Sequence, residues 1–316
     1  MEKRVTCMIV IMLLGAYIMS GCTPKIKEST ELGQENLTIV TSFYPIYLHV
    51  LNITKDIPEI EVINMTQPQT GCLHDYQLTP NDLKTLDRAD IFVINGGGME
   101  SFIDKAVSQL PKLAVIDASE KIDFIHEDDH DENGHSNEED GHDHDVNPHV
   151  WVSVTGAINQ VAQITERLGS LDPNHKKEYD DNGNAYIEKL EALSSEMHAV
   201  LDHMSNKNIV TFHEAFPYFA QEFGLNIIGT IVTEPGSEPS AKDLEKIIED
   251  IEKNDVKAVF AEPQYESKAA DVIAKEAGVK LYTLDPVVTG ESSQDQINQY
   301  LIIMRENLKT LEEALR

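Results

Sequence analysis

Cysteine is almost absent from this chain: three occur in 316 residues, at Cys7, Cys22 and Cys72. Cys7 and Cys22 sit in and at the end of an N-terminal apolar run, so a folded body keeps Cys72 alone and no disulfide framework is possible. Stability must come from hydrophobic cores, and the chain is long enough to build two. Basic residues are also scarce, with 25 Lys and Arg against 55 Asp and Glu and a formal charge of −30. Such a balance excludes a nucleic-acid surface and disfavours anionic lipid, while it suits a molecule that gathers cations. No glycine-rich phosphate loop occurs, so nucleotide hydrolysis is not expected of this polypeptide. The apolar run from Val5 to Met19 is short for a membrane span. Lys3 and Arg4 precede it and Ser20-Gly21 follow it, the pattern of a secretory signal with a small-residue cut site.

Histidine, by contrast, is concentrated. His126, His130, His135, His142, His144 and His149 fall within one acidic stretch. Imidazoles suit Zn, Cu, Fe and Ni, and the acidic filler attracts any cation, so the stretch reads as metal-handling. Its histidines divide into two kinds. Those from 126 to 144 lie in a polar tract without apolar period, which cannot bury enough surface to order itself. His149 follows Asn147-Pro148 and precedes Val150-Trp151, where a rigid turn meets a core segment.

Strand-like runs at 37–41, 60–63, 90–94 and 113–116 alternate with helical stretches at 44–54, 80–86 and 99–109. The alternation restarts with strands at 208–211, 225–228, 256–260 and 279–282, a helix opened by Ser240 and Asp243, and a C-terminal helix from 295. Between the halves, 152–168 is helical, and Leu171-Asp172-Pro173 supplies a stop followed by a first-turn proline. One amphipathic helix then runs from 174 to about 204 on Tyr186, Leu190, Leu193, Met197 and Leu201. The expected class is α/β: two lobes, each a parallel sheet flanked by helices, joined by one long rigid helix. The expected domains are a signal at 1–21, a tether at 22–36, an N-terminal lobe at 37–170 carrying the acidic loop 126–148, a connector at 171–205 and a C-terminal lobe at 206–316.

In open parallel sheets ligands bind beyond the carboxyl ends of the strands. Four metal-ligand residues stand there: His74, His149, His213 and Asp285, two from each lobe, which places a metal in the interlobe cleft. Three imidazoles and a carboxylate fit tetrahedral Zn²⁺. Cys72, two residues from His74, reads as a small buried apolar residue, with thiolate ligation as the alternative. His49, His175, His198 and His203 lie on helical stretches and read as surface or capping residues, and Glu214 as solvated or supporting His213.

These residues carry a family resemblance. Gly71-Cys72-Leu73-His74-Asp75-Tyr76 with Leu78-Thr79-Pro80-Asn81-Asp82, then Asn147-Pro148-His149-Val150-Trp151, Thr211-Phe212-His213-Glu214-Ala215-Phe216 and Leu284-Asp285-Pro286 resemble the cluster A-I metal-binding lipoproteins of bacterial ABC importers. Ser20-Gly21-Cys22 is similar to a lipobox, with Met19 in place of the usual Leu, so Cys22 would be the lipidated first residue of the mature protein. The resemblance implies an extracytoplasmic, lipid-anchored monomer that captures Zn²⁺ and delivers it to a membrane permease with a separate ATPase subunit, touching the membrane through lipid only. Manganese members carry Glu where this chain has His213, and zinc members typically have the acidic histidine loop, so both features imply zinc. Some zinc members place Glu beside the first histidine; Leu73 stands there, leaving Asp285 or a water to complete the shell. The tract histidines would form secondary, weak sites. Manganese binding by the same class, an adhesin or zinc store, and a zinc-dependent hydrolase are the alternative functions. No catalytic residue is assigned.

Overall fold

Apolar strand runs and amphipathic helices alternate along the chain, and in the computed structural model they assemble two four-stranded, wholly parallel sheets. The structure describes residues 36–67, 70–73, 76–126, 146–232 and 239–316. Leu37–Arg316 forms one compact unit. The first sheet contains β1 (Leu37–Thr41), β2 (Ile60–Asn64), β3 (Ile91–Ile94) and β4 (Ala114–Asp117) in the order β2-β1-β3-β4. The second contains β5 (Asn208–Thr211), β6 (Asn226–Thr230), β7 (Ala258–Ala261) and β8 (Lys280–Thr283) in the order β6-β5-β7-β8. β7, read as Ala-Val-Phe-Ala, is buried at every position, as a central strand covered on both faces must be.

Helix α1 (Tyr44–Ile53) is buried along its whole length, and α2 (Pro80–Asp87) starts from a capping box between Thr79 and Asp82. The helix expected over 99–109 is reduced to a 3-10 turn at Ser101–Ile103 and the single turn α3 (Asp104–Val107). Gly96, Gly97 and Gly98 all have positive φ, and the Glu100 carboxylate folds back to accept from the N–H of Asn95 (2.7 Å) and Gly96 (3.1 Å). Glu100 therefore serves the strand end and cannot nucleate a helix.

Helix α4 (Val154–Leu171) is capped by Ser153 and ends at the predicted stop. Asp172 then accepts from His175 Nδ1 (2.6 Å) and Tyr179 Oη (2.9 Å), which fixes the turn into α5 (Lys176–Leu201). With 26 residues, α5 is about 39 Å long. Tyr179, Gly183, Tyr186, Leu190, Leu193, Met197 and Leu201 form its buried face, and it packs on α4, on α1 and on the C-terminal helix. A Cβ at Gly183 would lie 2.4 Å from Thr165 Oγ1, so only glycine lets α4 and α5 approach this closely. The remaining helices are α6 (Pro217–Phe223), α7 (Ala241–Lys253, opened by the predicted Ser240–Asp243 capping box), α8 (Lys268–Ala277) and α9 (Gln299–Ala314).

One hydrophobic cluster takes residues from both sheets, including Ile39, Trp151, Leu190, Phe216 and Tyr300. Polar bonds pin it: the Trp151 indole donates to Pro286 O (2.7 Å) and Tyr300 Oη donates to Trp151 O (2.8 Å). His49, read from the sequence as a surface or capping residue, is wholly buried here, with the rings of Tyr186 and Tyr300 at 6.0 and 5.4 Å. Sequence periodicity missed this because every residue of α1, not one stripe, is covered.

Neither ring nitrogen of His49 has a hydrogen-bond partner among the described residues, and burial lowers its pKa to about 3. The ordinary imidazole value is near 6.5, so between about 6.5 and 3 the unfolded chain binds the extra proton and stability falls as pH falls. His49→Leu is expected to raise stability at pH 7 by about 1–2 kcal/mol and to flatten its decline toward pH 5. Urea unfolding at the two pH values checks this; an unchanged pH slope would contradict it.

Candidate metal centre

The order of the second sheet makes β5 and β7 neighbours, with Val210 opposite Val259. Three residues beyond that pair on each strand stand His213 and Glu262, and the two side chains meet. His213 Nδ1 is 2.5 Å from Glu262 Oε1, its backbone N–H donates to the same oxygen at 3.1 Å, and Gln264 Nε2 donates to Glu262 Oε2 at 2.7 Å. Both residues are almost completely buried. The carboxylate assigns the proton to Nδ1 and turns Nε2 away from the sheet.

His149 reaches the same place from the first half of the chain. Asn95, at the end of β3, donates to Pro148 O (2.9 Å), and Gln160 of α4 donates to Asn95 Oδ1 (2.8 Å). Asn147 Oδ1 faces His149 Nδ1 at 3.1 Å and accepts its backbone N–H at 3.0 Å. The other end of that amide donates to Glu214 O at 2.8 Å, and Tyr218 Oη donates to Asn147 O at 2.8 Å. An amide and a carboxylate thus orient two imidazoles, as outer partners of metal-bound histidines do. The His149 and His213 rings lie 5.2 Å apart at 76°.

Cys72, buried in the loop after β2, stands between them, its Sγ 3.6 Å from His149 Nε2 and 3.5 Å from His213 Nε2. The three donor atoms lie within 4.8 Å of one another, the one such group among the described residues. Asp285, after β8, is outside it. Asp285 Oδ1 accepts from Val287 N–H (2.7 Å), and its backbone exchanges two bonds with Asn307 (2.9 and 2.8 Å). Val287 holds φ at +63°, a strained value for a β-branched residue, beside this carboxylate. Burial, with Glu262 and Glu306 adding to it, raises the Asp285 pKa to about 6.

His74 lies outside the described residues, as do Cys22 and the tract histidines His130, His135, His142 and His144. His126 is exposed, and it forms an antiparallel bridge with Val146, while Asn147 N–H donates to Ile125 O (2.8 Å). The two segments that flank 127–145 are therefore paired, through Val146 and Asn147, just before His149. Glu262 escaped sequence reasoning although it follows a strand end as His213 does; Ala261-Glu262-Pro263 carried the signal. Cys72, read as a small buried residue, is buried, with its sulfur beside both ring nitrogens.

Burial works against charge on His213, but Glu262 and then Cys72 outweigh it and hold its pKa up to about 10. Below that pH a cation must displace a proton from His213, so affinity for a divalent ion should keep climbing with pH to about 10 instead of levelling near 6.5. Calorimetry at pH 8 in buffers of different ionisation enthalpy should show proton release, reduced in Glu262→Gln. Absence of proton release from the unaltered chain would contradict the pairing.

The profile of the zinc-uptake complex component A periplasmic family matches residues 39–314. The High-affinity zinc uptake system protein ZnuA of Bacillus subtilis is 30% identical over 312 residues, covering 95% of this chain and 97% of the relative. The Zinc-binding lipoprotein AdcA of Streptococcus pneumoniae is 32% identical over 284 residues, covering 88% of this chain. The match spans only 56% of that AdcA, so the chain corresponds to a little over half of it. Among solved structures, a Zn(II)-bound mutant variant of AdcAII from Streptococcus pneumoniae superposes with a TM-score of 0.76 at 30% identity, covering 89% of this chain and 99% of that one.

Proposed function

Since the chain belongs to the zinc-uptake complex component A family, we propose that it captures Zn²⁺ outside the cytoplasmic membrane and passes it to an ABC-type permease energised by a separate ATPase subunit. The observation that carries this reading is the pair of almost fully buried imidazoles, His149 and His213, each fixed through Nδ1 and each presenting Nε2 to one point. His74 adds a third nitrogen and Asp285 the carboxylate that faces the ion. Residues 37–170 and 206–316 act as the two lobes, with 171–205 as their stiff connector, and Cys22 carries the lipid anchor of a monomer.

Nitrogen donors favour Zn²⁺ over Mn²⁺, which binds such sites most weakly of the first-row divalent ions. A buried, oriented pair also has little entropy left to lose on binding, unlike a polar tract that must be ordered each time. The acidic tract then raises the local cation concentration beside His149 without holding the principal ion. A hydrolytic role would need an open coordination position with a general base beside it. Glu262, the nearest buried carboxylate, is committed to His213 and Gln264.

His213→Ala should lower zinc affinity by more than the roughly 10–100-fold that loss of an outer partner costs. Competition calorimetry against manganese checks both statements: equal or tighter manganese binding by the unaltered chain would contradict the assignment to zinc, and unchanged affinity in the variant would remove His213.

The bridge between His126 and Val146 makes a further outcome specific. Replacing 127–145 with a short glycine linker should leave one tight zinc per chain and remove only weaker, additional binding. Loss of the tight ion with an intact circular dichroism spectrum would contradict this division.

A further inference from the structure

We propose that Cys72 is a metal ligand: its thiolate bonds the ion held by His149 and His213, so the centre takes zinc through sulfur as well as nitrogen. The proposal rests on the zinc-capture reading and names a donor that reading does not contain. Its first support is metric. Zinc bonds nitrogen at about 2.0–2.1 Å and sulfur at about 2.3 Å, and tetrahedral angles between such bonds set each N···S edge at about 3.5–3.6 Å. The two observed edges are 3.6 Å to His149 and 3.5 Å to His213.

The second support is how firmly the sulfur is placed. Leu73, next in the chain, is wholly buried in the main core cluster. Tyr76 N–H donates to Leu73 O (2.9 Å), and Tyr76 Oη donates to Asp82 Oδ2 (2.8 Å), the carboxylate of the α2 capping box. On the other side, a Cβ at Gly71 would lie 3.6 Å from Gln264 Cγ, and Gln264 is the residue that holds Glu262. The loop bearing Cys72 thus runs beside Gln264 and meets the strand end bearing the His213–Glu262 pair through the sulfur itself, 3.5 Å from His213 Nε2.

On binding, the S–H proton leaves to solvent as the S–Zn bond forms, and the His213 Nε2 proton leaves as the N–Zn bond forms. Sulfur also sharpens selection, because thiolate prefers Zn²⁺ and softer ions while Mn²⁺ prefers oxygen.

The test uses the full chain with one equivalent of Co²⁺ or Zn²⁺. The cobalt form should show thiolate-to-cobalt charge-transfer absorption in the near ultraviolet, and zinc-edge X-ray absorption should show a sulfur neighbour at about 2.3 Å. Cys72→Ser should lose both signals and shift the visible cobalt bands, which also excludes Cys7 and Cys22 as the source. Its preference for zinc over manganese should fall by at least about tenfold, the lower end of what an outer partner costs. A stoichiometric ion lost in His149→Ala and His213→Ala, but with only nitrogen and oxygen neighbours and an unaltered spectrum in Cys72→Ser, overturns the thiolate and leaves zinc capture standing. An unaltered chain that binds no stoichiometric ion overturns both.

Discussion

A carboxylate buried against an imidazole is the constraint on which the rest of this structure turns. Glu262 and His213 occupy matching positions beyond two adjacent central strands, and neither is acceptable there alone. An isolated charge so deep would cost several kcal/mol, and an unpaired imidazole nitrogen would forfeit a hydrogen bond. Together, and with Gln264 on the second carboxylate oxygen, they are stable without an ion yet remain poised for one. The pair holds a negative charge behind a nitrogen that faces His149 and Cys72. A divalent cation bound there would displace the His213 proton but would meet side chains already oriented, so little of its binding free energy would go to ordering the protein.

The fold supplies that arrangement from a distance. Helix α5 packs along its buried face on α4, α1 and α9 and so fastens elements from both halves of the chain to one rod. Trp151 and Tyr300 do the same locally: their bonds to backbone carbonyls tie the His149 segment to the chain beside Asp285 and to α9. The centre therefore lies where donors from three loops converge, and it inherits its precision from the core beneath them. The acidic excess of the chain works at longer range, as an attractive field for cations.

Much of this was legible in the sequence, and the failures have physical causes. Strand and helix alternation gave the two parallel sheets, because buried parallel strands must be continuous apolar runs and their crossovers must be helical. The stop at Leu171-Asp172-Pro173 and the capping boxes at Thr79 and Ser240 are local chemistry, and local chemistry survives folding. The stretch 99–109 was misread as one helix because Glu100, a good helix former, is committed to the end of β3, a tertiary demand that periodicity does not see. His49 was misplaced for a similar reason: α1 is covered on all sides, and no amphipathic stripe marks such a helix. His149 and His213, singled out beyond strand ends, lie with their rings 5.2 Å apart. Glu262 was missed because the same reasoning was applied to candidate ligands and not to the residue that must orient one. Asp285 lies beyond the group that His149, His213 and Cys72 form, and sequence spacing carries no distance.

The central claim is that His149 and His213 hold the principal ion at one buried point, with the acidic tract apart from it. Anomalous diffraction at the zinc edge from crystals of the chain with one equivalent of Zn²⁺ tests it most directly. The account predicts one dominant peak at bonding distance, about 2.0–2.1 Å, from Nε2 of both His149 and His213. A dominant peak among residues 127–145, with those two nitrogens unbonded, would contradict it.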